Sequence, residues 1–162
     1  MRPTGSAGGG STRLAQRAGR LVGALDPRGR RSLEAYRRLV PRLLAGAAGV
    51  VCVAVPLAAS GARIPALVLA GGLPILAAAA LAQTVRRFHD RGLSGWWLVP
   101  NPAIWAASLA PFEAWADRYP VAVLAYAAAA WGFTLWCLVE ALGRPGTPGP
   151  NRYGTAPRPP GP

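Results

Sequence analysis

Four stretches of this chain carry no charged residue, at positions 43–62, 64–85, 93–112 and 119–139, and their length limits the fold more than any other feature. About 20 apolar residues wound into an α-helix cover the ~30 Å hydrocarbon core of a bilayer, so each stretch is long enough to span. Soluble domains of this size rarely repeat that length four times. The mean hydropathy of +0.25 would mislead on its own, because the charges are gathered into short segments between the runs. The stretches are rich in Ala and Gly and contain Pro, which soluble helices tolerate poorly. Within a bilayer, neighbouring helices can satisfy the backbone groups that such residues free. The expected fold class is therefore all-α: a polytopic membrane protein with four transmembrane helices in a small bundle. The spans are placed at about 43–62, 64–85, 95–112 and 119–140. The segment Ser60-Gly61-Ala62-Arg63-Ile64-Pro65 reads as a tight turn joining the first two.

The basic residues give the direction of threading. The chain has 18 Arg and no Lys. Ten Arg precede the first span, Arg63 alone lies in the first loop, and Arg86, Arg87 and Arg91 lie in the second. Arg118 stands in the third loop beside Glu113 and Asp117, and Arg144, Arg152 and Arg158 lie in the C-terminal tail. Alternate segments thus hold 16 and two Arg. The Arg-rich side is cytoplasmic by the positive-inside rule, which puts both termini and the central loop inside. Trp96, Trp97 and Trp136 then fall at the inner interface, and Trp115 and Tyr119 at the outer one, as an aromatic belt requires. Trp105 and Trp131 lie deeper and are expected to pack between helices.

A net charge of +12 and a pI near 11.6 would suggest nucleic acid in a soluble protein. Here the charge is juxtamembrane, where each Arg near an anionic surface contributes about 1 kcal/mol. The expected partner is membrane lipid with anionic headgroups, and no nucleic acid; an unknown protein partner or a homo-oligomer is also open. Small-residue pairs such as Ala45/Gly49 and Ala128/Gly132 allow close helix packing.

Residues 1–26 read as a flexible basic tail. Within it, residues 13–25 fit either a short amphipathic helix in the interface or a linker, since Leu14, Ala18, Leu21 and Leu25 share a face that Gly19 and Gly23 weaken. Residues 27–157 form the membrane domain, and 158–162 a disordered tail. Arg30-Arg31-Ser32-Leu33 ahead of an apolar run imitates a twin-arginine signal, but three further apolar runs follow it, so an exported soluble product is not expected. Cys52 and Cys137 differ in depth by about 9 Å at ~1.5 Å per residue, which argues against a disulfide. No Cys-x-x-Cys motif or His/Cys cluster points to a metal, and no catalytic set or cofactor site is expected.

The densest stretch is Arg86-Arg87-Phe88-His89-Asp90-Arg91-Gly92-Leu93-Ser94-Gly95-Trp96-Trp97. Gly92 and Gly95 permit a sharp reversal, Asp90 can pair with a flanking Arg, and Ser94 can cap the following helix. This stretch resembles the signature of the DUF805 family of small bacterial inner-membrane proteins, with Phe88 in place of Leu. A second resemblance runs through Gly146-Thr147-Pro148-Gly149-Pro150-Asn151-Arg152-Tyr153-Gly154, followed by Pro157. A third family motif is partly kept by Gly29, Arg30 and Tyr36, with Leu33 where a second Arg is expected and Arg37 where a Trp is. The resemblance covers about residues 27–157. It implies a multi-pass protein of three or four spans in the bacterial inner membrane, and no biochemical activity.

Threading brings both stronger motifs to the cytoplasmic side. The candidate motif surface there comprises Arg86, Arg87, His89, Asp90, Gly92, Ser94, Gly95, Trp96, Trp97, Asn151, Arg152, Tyr153 and Gly154. The expected role is a non-enzymatic scaffold, assembly factor or regulator that uses this surface. One alternative is a small-molecule or ion transporter, for which Asn101 between Pro100 and Pro102 is the best hint. A second is an interfacial enzyme using the adjacent His89 and Asp90.

Overall fold

The computed structural model describes Gly19, residues 23–107, Leu109 and residues 112–157. The described residues are helical apart from turns and one isolated antiparallel bridge between Asn151 and Gly154. The proposed interfacial helix at 13–25 and the tail at 158–162 fall outside them, except that Gly19, Gly23, Ala24 and Leu25 are helical.

Helix α1 is Leu33–Ala59, α2 is Arg63–Ala70 and α3 is Gly72–Asp90. A 3-10 helix follows at Gly95–Leu98, then α4 at Pro100–Ala107, α5 at Phe112–Arg118 and α6 at Pro120–Leu138. A π-turn over Val139–Gly143 extends α6. Among the described residues three helical segments are long and apolar enough to cross a membrane: Leu33–Ala59, Arg63–Asp90 and Pro120–Gly143, of 27, 28 and 24 residues. They leave large apolar side chains bare, with Leu67 71% exposed on α2 and Leu124 71% exposed on α6. Water would penalise such faces, whereas lipid covers them at no cost. The architecture is that of an all-helical membrane protein.

The chain divides into two compact units, one of residues 1–27 and 43–83 and the other of residues 28–42 and 84–162. In the first unit, α1 turns into α2 through Gly61, whose φ of +90° is the left-handed conformation glycine adopts without strain. Ala62 N donates to Leu57 O at 3.1 Å and Ser60 Oγ to Leu57 O at 2.8 Å, closing the helix end. This is the turn read from the sequence. Ala54, Ala66 and Ala82 are the buried apolar side chains of this unit's described helices, and the first two are small enough for α1 and α2 to approach. The second apolar run is not one uninterrupted helix. Pro74 has no N–H for the carbonyl four residues back, and the helix breaks between α2 and α3 at Gly71.

The second unit holds the larger departure from expectation. Where one helix is expected over 95–112, the chain is helical in pieces, because Pro100 opens α4 at the position where a missing N–H costs nothing. Pro111 disfavours helix for the residue before it and stands just ahead of α5. Alone, α4 reaches only about 12 Å at ~1.5 Å per residue. These pieces run antiparallel to α6. Trp97 meets Trp136 (5.4 Å between ring centres), Asn101 meets Thr134, Trp105 meets Trp131 (5.5 Å) and Phe112 meets Tyr126 (5.2 Å). Tyr126 Oη donates to the Ile104 carbonyl at 2.5 Å, which ties α6 to α4. Trp105 and Trp131 meet each other across α4 and α6 but remain 47% and 64% exposed, so neither is enclosed between helices as expected from the sequence.

Candidate functional site

The last turn of α3 is where the strongest motif begins, and its chemistry starts with a buried carboxylate. Asp90 lies between two arginines. Arg30 Nε donates to Asp90 Oδ1 at 3.0 Å, and Arg87 Nη1 pairs with Asp90 Oδ2. Arg87 is 0% exposed and Asp90 2%. Burying ions is costly unless they are paired and their remaining donors are met. Two guanidiniums and one carboxylate leave a positive charge over, and backbone carbonyls take it up. Arg87 Nε donates to Ala141 O at 2.9 Å and its Nη2 to Arg144 O. Those carbonyls belong to the C-terminal end of the α6 segment, the negative pole of its macrodipole.

Arg30 performs the same office for the C-terminal tail. Its Nη1 donates to Gly149 O at 2.5 Å and its Nη2 to Thr147 O at 2.6 Å. Thr147 is also held by the Asp90 backbone, with its N–H donating to Asp90 O at 2.8 Å and its Oγ1 at 3.0 Å. Asn151 Nδ2 donates to His89 O at 2.9 Å and to Thr147 Oγ1 at 3.0 Å, and Tyr153 N returns to Asn151 Oδ1 at 2.9 Å. The tail is thus laid across the α3 terminus as a strap, closed on itself by the mutual Asn151–Gly154 backbone bonds of 3.0 and 2.9 Å. A Cβ on Gly146 would lie 2.0 Å from Asp90 Oδ2, so this strap fits only with glycine there.

Outside this clasp Arg91, Arg144 and Arg152 are also engaged. Arg91 Nε pairs with Glu140 at 3.1 Å and its Nη1 donates to Pro145 O at 2.5 Å, while Arg144 holds the other oxygen of Glu140 at 3.0 Å. Arg152 Nη2 donates to Gly92 O at 3.1 Å and its guanidinium lies 4.7 Å from the Tyr153 ring centre. Tyr153 stacks on His89 at 3.8 Å with the rings 6° from parallel. His89 Nδ1 faces Gly29 O at 3.2 Å, and a carbonyl there requires Nδ1 to carry the proton. Gly29 has a φ of +82°, which turns that carbonyl at little cost.

The reversal after α3 follows the expected chemistry. Gly92 has a φ of +74°, and Leu93 N donates to Phe88 O at 2.9 Å across it, a helix stop of the Schellman kind. Ser94 caps the 3-10 helix, accepting from Trp96 N at 3.4 Å. Gly95 is needed for space rather than for its φ, since a Cβ there would stand 2.9 Å from Val85 Cγ1. Beneath lies the unit's core of Tyr36, Phe88, Leu98, Cys137 and Ala141, with Trp136 edge-on to Phe88 at 6.1 Å. Tyr36 reaches Thr84 Oγ1 through its hydroxyl at 2.9 Å. Cys52 and Cys137 are free thiols.

Two residues of the expected motif surface are not on a surface. Arg87 and Asp90 are buried because each neutralises the other and both anchor backbone that would otherwise be unpaired. Arg86, His89, Gly92, Ser94, Gly95, Asn151 and Tyr153 are half-buried, and Trp96, Trp97, Arg152 and Gly154 are exposed. Nor does the structure pair the adjacent His89 and Asp90, since the carboxylate faces Arg30 and Arg87 while the imidazole faces Gly29. Among the described residues no group of three His, Cys, Asp or Glu side chains is placed to hold a metal. Sequence reasoning missed Arg30, Glu140 and Thr147 as members of the site. For Arg30 a signal existed: Gly29, Arg30 and Tyr36 are the kept part of the third motif, and all three have structural work in this unit.

A model for the family described as a protein of unknown function (DUF805) matches residues 25–155. No curated protein matches the chain, and no solved structure does. The family match takes in the clasp from Arg30 through Gly154 and all three spanning helices, and the chain belongs to the DUF805 family.

Proposed function

We propose that this chain is a four-span protein of the bacterial inner membrane with both termini in the cytoplasm, working without catalysis as a scaffold, assembly factor or regulator. The observation that carries this reading is the clasp. Its charged groups are turned inward on one another and on backbone, where they hold the strap, rather than outward around a cavity. What remains outside is a formed patch of Trp96, Trp97, Arg152 and the His89–Tyr153 stack, suited to contact with an acidic partner. The fourth span in this reading is the segmented run over 95–112, which keeps company with α6. The arginine asymmetry supplies the direction.

Two measurements test it. Reporter fusions after Ala62, Arg91, Arg118 and Pro157 should give export-dependent activity at Ala62 and Arg118 alone; activity after Arg91 would sink the topology. Photo-crosslinkers at Arg152 and Tyr153 in native membranes should capture one repeated protein whose yield falls when Arg152 is changed to Glu. Capture of lipid only would overturn the partner role. A transporter is the second reading, on the observation that Thr134 Oγ1 donates to Asn101 Oδ1 at 3.4 Å beside the interrupted segment. Flux that disappears in Asn101→Leu would favour it.

A further inference from the structure

The clasp lies under a thin cover. Arg30, Arg87 and Asp90 are buried, yet no residue of the strap over 145–157 is. The strap is held down by polar bonds: Thr147 N and Oγ1 donate to Asp90 O, Asn151 Nδ2 to His89 O and Arg152 Nη2 to Gly92 O. Its regular structure is the isolated Asn151–Gly154 bridge. A surface segment with exposed hydrogen bonds and little apolar burial opens at a lower free energy than the core beneath it.

What opening uncovers is set by Arg30. A guanidinium has a side edge and an end edge, and each fits a carboxylate. The side edge of Arg30 is taken, because Nε donates to Asp90 Oδ1 at 3.0 Å and Nη2 stands 2.9 Å from the same oxygen. The end edge, Nη1 and Nη2, faces the strap. There it meets the carbonyls of Gly149 at 2.5 Å and Thr147 at 2.6 Å, with Gly154 O further off at 3.4 Å. Arg30 and Arg87 share Asp90, so the three groups together keep one positive charge, which carbonyl dipoles hold in place of an anion. An ion answers a buried charge more strongly than a dipole does, provided the pairing offsets its own desolvation.

We infer that the end edge of Arg30 is a carboxylate-binding site latched by the strap, and that its ligand is an acidic side chain of a partner protein, which enters as the strap leaves. The carbonyls of Thr147 and Gly149 stand where the two carboxylate oxygens would bind, so strap and ligand exclude each other. Arg152 is exposed on the same strap and draws the same acidic segment, which couples docking at the outer patch to opening of the latch. The inference deepens the acidic-partner reading proposed above and rests on it for the origin of the carboxylate.

The test uses the full chain in nanodiscs of phosphatidylcholine, with dye-labelled tetra-glutamate as the probe and tetra-glutamine as the neutral control. Binding is read by fluorescence anisotropy, and opening by amide exchange at Thr147, whose N–H donates to Asp90 O. Tetra-glutamate should speed that exchange and tetra-glutamine should not. Thr147→Val removes the hydroxyl that joins the strap to Asp90 and Asn151 and leaves Arg30 intact. It should tighten tetra-glutamate binding about fivefold to tenfold, as release of one hydrogen bond implies. Asn151→Ala loosens the strap at another anchor; it should give the same gain, and serves if the Val variant fails to fold. Adding Arg30→Lys to either should abolish the gain, because the charge remains and the fork does not. Equal affinity in wild type and in a variant whose strap exchanges faster would overturn the latch. A gain that survives Arg30→Lys would overturn it too, since binding would then follow charge alone. Photo-crosslinking from Arg152 and Tyr153 reads the outer patch separately. Protein capture without a gain from Thr147→Val rejects the latch alone, whereas lipid-only capture with that gain rejects the partner role and keeps the carboxylate site.

Discussion

Asp90 is the residue on which most of the clasp depends, because it faces two guanidiniums and receives the strap on its own carbonyl. Removing one partner of a buried ion pair leaves an uncompensated charge and costs about 3–5 kcal/mol. Asp90→Ala should therefore lower the melting temperature in detergent far more than Glu34→Ala, whose pair with Arg38 is exposed and contributes ~0.3–0.5 kcal/mol. Arg30→Lys should fail to restore the strap, since an ammonium has no planar fork to reach Asp90, Thr147 and Gly149 together; faster amide exchange at Thr147 and Gly154 would register it. Gly95→Ala tests a different cause. The added methyl meets Val85, a side chain stiff at its first torsion, and should destabilise by ~1–3 kcal/mol. The double variant with Val85→Ala should recover most of that loss, and no recovery would refute the steric account. Parts of this were legible in the sequence. Gly92, Ser94 and the pairing of Asp90 with a flanking Arg follow from local chemistry within a few residues. Arg30 did not follow from local chemistry, because its partners lie some 60 and 120 positions away; only its place in the kept part of the third motif set it apart from Arg31.

At the scale of elements, the apolar runs located the helices but not their ends or breaks. Helix α1 begins ten residues before the first charge-free run, carrying Arg37, Arg38 and Arg42 on its opening turns. Charge marks where a helix leaves hydrocarbon, not where it stops being a helix, so the two boundaries differ. The interrupted third run has the opposite lesson: its composition is that of a span, yet its prolines fix where helix can start and stop. The bond from Tyr126 to the Ile104 carbonyl should make Tyr126 sensitive. Tyr126→Phe removes a half-buried hydrogen bond and should cost about 1 kcal/mol, read as a shift in thermal unfolding, with loosened packing of α4 seen in amide exchange. An unchanged melt would mean that the carbonyl is satisfied without it.

At the scale of the whole molecule, membership in the family and an all-helical membrane architecture were both readable from the chain, since each rests on motif order and on run length. The site was readable only in part. Sequence placed its members together by threading, but could not say that arginines expected to face lipid or a partner would turn inward. That depends on tertiary pairing among the start, middle and end of the chain. Deleting residues 145–162 should therefore act on the first helix as well as on the tail: with Thr147 and Gly149 gone, Arg30 loses its carbonyls and the segment around Gly29 should exchange its amides faster. An unaltered exchange pattern near Gly29 would count against the clasp.

This arrangement also has a biosynthetic meaning. Arg30 leaves the ribosome well before Arg87 and Asp90, and these before Thr147, Gly149 and Gly154. The two cations and their carboxylate must wait, incompletely satisfied, until the strap residues have been translated. Closure of the strap is thus a seal that a chain stopped before Thr147 cannot set, and such a chain would keep those charges without their carbonyls.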